Sequence, residues 1–356
     1  MAEGFLRSLA PSLMKSHFIT GSLETKAGLV PQISCRWTKQ DYLGSIKVRC
    51  GINRDRYRVD PGLYSIGVPD HASDVLVTAN YKLTFDVLRR ELGGMNVWLV
   101  VLNTKGVNVW CAAGKGTFGT DELISKIDSL KLNEIVSHRR LILPQLGATG
   151  VSAHEVKKAT GFSVFYGPVR AKDIKAFIVD GYRASKAMRT VTFPFKERAK
   201  LLPNDLMYGK YYLLAGICVM FLLSGLYSKG FSLERALHYG IYTAINIIAA
   251  YLSGIVFAPL LLPYLPFRSF SMKGLITGLI TTALLTLFHF TGSSFLDLFS
   301  WFLLICSISS FMMMNFTGSS TYTSLSGVRK EMRRALPVQI SSASLGLIIF
   351  IVSKFL

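Results

Sequence analysis

The sequence has 356 residues, of which 50% are hydrophobic and only 17% are charged. This balance is too apolar for a wholly soluble protein and indicates membrane-spanning segments. The formal net charge of +19 suits an anionic membrane surface or an acidic partner. Nucleic acid is not expected as a partner, because no helix-turn-helix pattern, zinc-finger spacing or aromatic RNA-binding motif accompanies the charge.

Residues 1–70 are predicted to form an N-terminal extension with a β-hairpin. Its strands are placed at Ser45–Cys50 and Arg56–Val59, joined through Gly51-Ile52-Asn53. Met1–Gly21 lacks the apolar run of a secretory signal peptide, so we expect the part of the chain before the membrane segments to be cytoplasmic.

Residues 71–200 alternate between strand-like and helix-like runs. The strand-like runs are Asp74–Thr78, Val97–Leu102, Leu141–Leu143 and Phe162–Tyr166. This rhythm predicts an α/β domain with a Rossmann-like parallel sheet, and Thr120 is expected to cap one of its helices. Ligands of such sheets bind outside the carboxyl ends of the strands. We therefore expect the site in the loops Thr78–Tyr81, Thr104–Gly119, Leu146–Gly150 and Tyr166–Val169.

Residues 201–356 are predicted to be an all-α transmembrane bundle of five helices. The approximate spans, each long enough to cross about 30 Å of hydrocarbon, are 211–228, 240–262, 274–292, 298–316 and 336–353. Lys and Arg concentrate in alternate loops, so the positive-inside rule predicts a cytoplasmic first domain, an inner-membrane location and an external Leu356. Intramembrane charge is scarce, which favours an anchor or docking surface over a channel or carrier.

The segment Gly106–Gly119 contains the residues with the most evident chemistry. Gly114-Lys115-Gly116 is not a P-loop, because Gly rather than Ser or Thr follows the lysine. Gly114, Gly116 and Gly119 satisfy G-x-G-x-x-G but lie well beyond the end of the preceding strand. Asn108 can cap a short helix with Cys111 in its first turn, where the helix dipole favours a negatively charged sulfur. From the residues alone, Cys111 could be a nucleophile, a metal ligand, a redox switch or a structural cysteine.

The run Asn108-Val109-Trp110-Cys111-Ala112-Ala113-Gly114-Lys115 resembles the signature of the corrinoid protein of bacterial mercury methylation. That family is the membrane-bound relative of the large subunit of the corrinoid iron–sulfur protein. Thr78–Thr84, Leu143–Gly150 and Tyr166–Arg170 also resemble blocks of this family. The chain departs from histidine-ligated corrinoid enzymes, because Asp70-His71 is not part of an Asp-x-His-x-x-Gly motif.

The resemblance implies a Rossmann-like corrinoid-binding domain at 71–200 that holds cobalamin or a related cobamide, with no iron–sulfur cluster in this chain. Cys111 is implied to be the catalytic residue and the axial thiolate ligand to cobalt. The implied cofactor-binding residues are Thr78, Asn80, Asn108, Val109, Trp110, Cys111, Ala112, Ala113, Gly114, Lys115, Gly147, Ala148, Thr149, Gly150, Gly167, Pro168 and Val169.

The implied activity is a methyltransferase that passes a cobalt-bound methyl group to Hg(II). Hg(II) is an electrophile, so transfer to it leaves oxidised cobalt, which a donating thiolate ligand stabilises. The implied partners are a ferredoxin-like protein with two 4Fe–4S clusters, which supplies electrons and Hg(II), and a methyl-donor protein that uses methylated folate. The alternatives are transfer to another metal, metalloid or one-carbon acceptor, or a non-catalytic corrinoid carrier.

Overall fold

The computed structural model describes residues 16–318 and 325–356, and the expectation of no leader in Met1–Gly21 falls largely outside these residues. The chain divides into two units. The amino-terminal unit extends to Thr192, and the carboxy-terminal unit comprises Phe193–Leu356 with the short insert Arg49–Gly51. Each unit is described by itself below.

The amino-terminal unit is built around one sheet with helices on both faces. Its strands are β1 Ile19–Thr25, β2 Gly28–Ile33, β3 Gly62–Ile66, β4 Val75–Ala79, β5 Val97–Leu102, β6 Arg140–Leu143 and β7 Ser163–Tyr166. Its helices are α1 Lys39–Arg49, α2 Lys82–Glu91, α3 Val109–Gly114, α4 Thr120–Ser129, α5 Leu132–Ile135, α6 Ala153–Thr160, α7 Ile174–Val179 and α8 Lys186–Arg189.

The sheet has the strand order β1-β2-β3-β5-β4-β6-β7. Strands β4 to β7 are mutually parallel where they pair, whereas β3 runs antiparallel to β5 and β1 runs antiparallel to β2. The predicted α/β class is confirmed, and the sheet is mixed rather than wholly parallel. The chain passes from β4 to β5 on one side of β4 and then to β6 on the other side. The carboxyl end of β4 is therefore a switch point, where the strand order reverses.

The central strands have apolar side chains on both faces, as their continuous apolar runs predict. On one face Val75 and Val77 pack with residues of α3, α4 and α6. On the other face Leu76 and Leu99 pack with residues of α2 and α7. Helix α3, which carries Cys111, therefore belongs to the first of these two layers.

The predicted strand Ser45–Cys50 is wrong, because most of it lies in helix α1. The helix begins with a reciprocal capping arrangement. The Asp41 carboxylate accepts a hydrogen bond from the Thr38 backbone N–H at 2.8 Å, and the Thr38 hydroxyl accepts one from the Asp41 N–H at 3.4 Å. The hairpin of this region is formed instead by β1 and β2, earlier in the chain.

The carboxy-terminal unit is helical apart from one short hairpin, β8 Leu226–Tyr227 and β9 Gly230–Phe231. Its helices are α9 Phe195–Ala199, α10 Leu202–Tyr208, α11 Lys210–Leu223, α12 Leu233–Leu252, α13 Ala258–Leu260, α14 Phe270–Leu287, α15 Phe295–Asn315 and α16 Leu325–Val352. A π-helical turn, Ser253–Phe257, joins α12 to α13, and the helical segment ends at Leu260, close to the end of the predicted span 240–262.

Within the residues that the structure describes, four helical segments of this unit are long and apolar enough to cross a membrane: Leu233–Leu260, Phe270–Leu287, Phe295–Gly318 and Ser326–Val352. The predicted span 211–228 corresponds to α11, which with the preceding helices forms a pair bent by 55°. The number of spans is five if that bent pair crosses as one segment. Lys273, which lies just before the predicted span 274–292, is buried in α14 and donates to the Leu262 and Leu265 carbonyls at 2.7 and 2.6 Å.

Candidate functional site

Cys111 lies in the first turn of α3, just after the carboxyl end of β5. Asn108 is the N-cap residue, and its side-chain oxygen accepts a hydrogen bond from the Cys111 backbone N–H at 2.9 Å. The predicted cap and the predicted place of Cys111 are both confirmed. Val109, Ala112 and Ala113 are buried against the sheet, whereas Cys111 is half-buried. Helix α3 is thus fixed by its apolar side and leaves the thiol at its outer side.

The loop that connects β5 to α3 is held by the side chain of Asn80, at the end of β4. The Asn80 side-chain oxygen accepts hydrogen bonds from the Thr104 N–H at 3.1 Å, the Thr104 hydroxyl at 2.9 Å and the Gly106 N–H at 2.9 Å. Lys105, between them, has a φ of 57°, a left-handed conformation that is uncommon outside glycine. Asn80 is only 1% exposed. Its amide therefore stabilises the turn that leads to Asn108.

The loop after β6 packs against α3 and the residues that follow it. A Cβ atom added to Gly147 would lie 2.5 Å from Cε1 of Phe118, and one added to Gly150 would lie 2.9 Å from Cα of Ala113. Contacts this short exclude any side chain larger than hydrogen at either position. The resemblance implies that these glycines bind the cofactor, whereas their close neighbours within the unit are Phe118 and α3.

The other predicted site residues differ in their accessibility. Thr78, Gly167 and Pro168 are buried, Ala148 and Val169 are partly buried, and Gly114, Lys115 and Thr149 are exposed. Trp110 keeps 37% of its surface exposed. The accessible part of the site is therefore Trp110, Cys111, the Gly114-Lys115 corner and the tip of the loop after β6.

Several residues that build the site were not found from the sequence. Thr104 is buried, and the single proton of its hydroxyl is shared between Asn80 Oδ1, at 2.9 Å, and the Val107 carbonyl, at 2.7 Å, which tightens the turn before Asn108. Phe118 is fully buried, and its ring packs directly against Gly147. Thr120 is not an N-cap, because Gly119 occupies that position and the Thr120 hydroxyl instead accepts a hydrogen bond from the Ser152 N–H at 2.9 Å. The Thr104-to-Val107 spacing, typical of a hydroxyl-closed turn, was the available signal.

A metal ion could be bound beside Cys111 only if a cofactor supplied most of its ligands. Within residues 16–318 and 325–356, no three His, Cys, Asp or Glu side chains are grouped so that they could hold a metal ion. Cys111 can provide one sulfur donor to a metal whose other ligands belong to a cofactor. The fold and the site together define an α/β domain that presents one half-exposed thiol on a capped helix, at the carboxyl edge of parallel strands.

Comparison with known proteins assigns relatives to this domain. Residues 39–178 match the family described as the CO dehydrogenase/acetyl-CoA synthase delta subunit. The acetyl-CoA decarbonylase/synthase complex subunit gamma of Archaeoglobus fulgidus is 34% identical over 127 residues, which are 35% of this chain and 27% of that protein. The corrinoid/iron-sulfur protein large subunit of Moorella thermoacetica is 30% identical over 122 residues, 34% of this chain and 27% of that protein.

The chain thus matches about a quarter of the length of these curated relatives. The matched residues contain β4 to β7, α3 and Cys111. The amino-terminal unit is a relative of these subunits, and the membrane-length helices of the carboxy-terminal unit lie outside the matched region.

Proposed function

We propose that this chain is a membrane-bound corrinoid methyltransferase that passes a methyl group to Hg(II), with the Cys111 thiolate as the axial ligand to cobalt. The observation that carries the proposal is the place of Cys111. It is a half-exposed thiol on the Asn108-capped helix, within a domain related to the corrinoid/iron-sulfur protein large subunit. Cobalamin or a related cobamide is the proposed cofactor.

The residues at the site fit such a cofactor. A corrin would bring most of the ligands of its own cobalt, so the protein would need to offer at most one further donor, and the Cys111 sulfur could be that donor. Gly114, Gly116 and Thr149 are small and exposed, so they add little bulk to the surface beside the half-exposed thiol. Trp110 offers an exposed aromatic face beside the thiol. A bound methyl-corrinoid would supply a cobalt–methyl bond, and a thiolate ligand favours transfer of that methyl group to an electrophile.

The chain's own residues keep the thiol in place. Asn108 holds the Cys111 N–H, and Asn80 fixes the turn before Asn108, so the sulfur stands on a rigid support rather than on a flexible loop. Gly147 and Gly150 allow the loop after β6 to pack under the same helix. Thr78, buried in β4, supports this edge of the sheet, while Val169, partly buried after β7, can bound the site on its other side.

The carboxy-terminal unit supports the proposed membrane location. Its membrane-length helices expose large apolar side chains, among them Ile241, Leu284, Phe302 and Ile348. Exposed apolar surface on this scale is stable in hydrocarbon and not in water. We infer that the unit is a multi-pass anchor in the inner membrane, with the bent pair as a fifth span and the amino-terminal unit in the cytoplasm.

The proposed reaction needs partners, because cobalt must be reduced and remethylated after each transfer. We propose a ferredoxin-like protein with two 4Fe–4S clusters as the source of electrons and Hg(II), and a methyl-donor protein that uses methylated folate. The net charge of +19 suits acidic partners. High salt should weaken their association.

The test is anaerobic conversion of Hg(II) to methylmercury by the full chain in nanodiscs, with the ferredoxin-like partner and a methylated corrinoid. The wild type is expected to be active, and Cys111→Ala to lose activity and to shift the visible spectrum of the bound corrinoid. Cys50→Ala, which removes another partly buried thiol, is the matched control and should change neither. A Cys111→Ala protein with the parental rate and spectrum would disprove the role of Cys111.

A second candidate keeps the corrinoid and changes the acceptor. The names of the curated relatives place them in acetyl-CoA decarbonylase/synthase complexes, which favours methyl transfer to a one-carbon acceptor. The acceptor that supports methyl transfer distinguishes the two candidate functions. If Hg(II) is the substrate, methylmercury should form in an amount up to that of the methylated corrinoid supplied. If methyl transfer proceeds only to a thiol or one-carbon acceptor added in place of Hg(II), the second candidate is correct.

A further inference from the structure

The carboxy-terminal unit contains a cavity of about 660 Å³ between helices α14, α15 and α16. This volume lies within the range of about 300–1,000 Å³ typical of small-molecule sites. Its wall is largely apolar and includes Met272, Leu275 and Val338. All the residues that line the cavity belong to this unit.

Three cations, Arg268, Lys330 and Arg334, line one end of the cavity. All three side chains are exposed, and within the part of the chain that the structure describes they form no ion pair. The one carboxylate at this end, Glu331, accepts hydrogen bonds from the Ser269 hydroxyl at 2.9 Å and the Ser271 N–H at 2.6 Å. This end of the cavity is therefore positively charged, and the Glu331 carboxylate is already hydrogen-bonded to residues at the start of α14.

The interior contains a buried polar group with an unused acceptor. Gln339 is 7% exposed, and its Nε2 donates to the Ser310 hydroxyl oxygen at 2.8 Å. The Ser310 hydroxyl donates to the Ser271 carbonyl at 2.9 Å, so its proton is committed and the orientation of the Gln339 amide is fixed. Among the described residues, Gln339 Oε1 has no hydrogen-bond partner. Such an acceptor calls for a donor from a ligand, since a buried oxygen without one is destabilising.

We propose that this cavity binds an anionic phospholipid whose headgroup carries hydroxyl groups, as that of phosphatidylglycerol does. The phosphodiester meets the three cations, a headgroup hydroxyl donates to Gln339 Oε1, and an acyl chain follows the apolar wall. Gln339 lies five residues after Arg334, about 7.5 Å further along the helix axis, so both groups are within reach of one headgroup. Basic pockets between membrane helices are known to favour anionic lipids. The inference rests on the proposed membrane location, but not on the corrinoid chemistry.

The experiment uses the full chain in nanodiscs of phosphatidylcholine, titrated with phosphatidylglycerol or with phosphatidic acid of the same acyl chains. Native mass spectrometry and thermal unfolding of the carboxy-terminal unit report binding. Phosphatidylglycerol is expected to bind more tightly than phosphatidic acid, which lacks the hydroxyls. Gln339→Leu should abolish that preference while leaving the charge-dependent part of the binding.

Two variants of equal charge test the cationic rim. Arg334→Gln should weaken phosphatidylglycerol binding about tenfold, as expected when a direct charge-assisted hydrogen bond to the phosphate is lost. Arg333→Gln removes the same charge from the adjacent exposed position outside the cavity and should have less than a twofold effect. Equal losses for both variants would overturn the site, since the binding would then be general attraction to a basic protein.

Two further outcomes also overturn the proposal. If inorganic phosphate added to pure phosphatidylcholine nanodiscs reproduces the full stabilisation, the ligand is free phosphate rather than lipid. If phosphatidylglycerol and phosphatidic acid bind equally, Gln339 has no role in the recognition. The corrinoid spectrum serves as an internal control: it should be unchanged in every one of these variants, so loss of lipid binding is distinguishable from loss of the proposed function.

Discussion

Asn80→Leu should release the turn that supports Cys111 while leaving the sheet intact. Leucine has nearly the same size as asparagine but cannot accept the three hydrogen bonds that the Asn80 oxygen receives from Thr104 and Gly106. At roughly 1 kcal/mol net for each bond, the turn loses about 3 kcal/mol. At 1.4 kcal/mol per tenfold change, local opening becomes about 100-fold more frequent.

Hydrogen exchange of the full chain, followed by mass spectrometry, measures this opening directly. Amides of residues 104–111 should exchange about 100-fold faster in Asn80→Leu, whereas those of β5 keep their protection. Asn103→Leu is the matched control, because Asn103 is exposed and its side chain accepts only one longer bond, at 3.2 Å, from the Lys105 N–H. Unchanged protection of residues 104–111, or an equal loss in β5, would refute the positioning role of Asn80.

Two further predictions concern packing and charge in the amino-terminal unit. Gly150→Ala should destabilise this unit by about 1–3 kcal/mol, because the added Cβ would lie 2.9 Å from Cα of Ala113. Gly114→Ala is the control, because a Cβ added there meets no atom within 4 Å and should leave the stability unchanged or higher. Urea unfolding measures both. The buried Asp41 should make the unit acid-sensitive. Burial opposes its ionisation, but hydrogen bonds from Thr38, His17, Lys82 and Arg89 together lower the pKa of Asp41 well below its usual range. Its contribution is therefore complete above about pH 4, the unfolded value, and is lost as the pH falls further.

Asp41→Asn tests the second of these predictions. It should cost about 3–5 kcal/mol near neutral pH, because Arg89 and Lys82 lose a buried partner that each contacts at 2.9 Å. The variant should also lose less stability than the wild type between pH 4 and pH 2. An identical acid dependence in the two proteins would show that other carboxylates control it, and equal stability of Gly150→Ala and Gly114→Ala would contradict the packing of the loop on α3.

The central strands could be predicted from the sequence because their side chains are buried on both faces. The predicted run Val97–Leu102 coincides with β5, and that of Asp74–Thr78 differs from β4 by one residue at each end. The helix at 39–49 was missed because the Ser45-Ile46-Lys47-Val48 alternation resembles a strand. The Thr38-x-x-Asp41 spacing was the better signal, since capping depends on local geometry.

The site was predictable only where its interactions are local. The Asn108 cap spans three residues and could be found from the sequence. The Asn80 contact with Thr104 joins residues 24 apart, and the approach of Gly150 to Ala113 depends on the sheet order. Neither contact leaves a pattern in a single sequence. Gly147, Gly150 and Asn80, which pack against α3 or hold the loop before it, were therefore predicted to contact the cofactor.

All seven strands of the large sheet lie between Ile19 and Tyr166, and the first long apolar helix begins only at Lys210. Chains emerge from the ribosome amino terminus first and their domains fold as units. Every pairing of the sheet can therefore form while the membrane helices are still being synthesised. The nascent chain can therefore fold the sheet and helix α3, which carries Cys111, before its apolar half must be inserted. This order limits the time for which unfolded segments of both halves are exposed together.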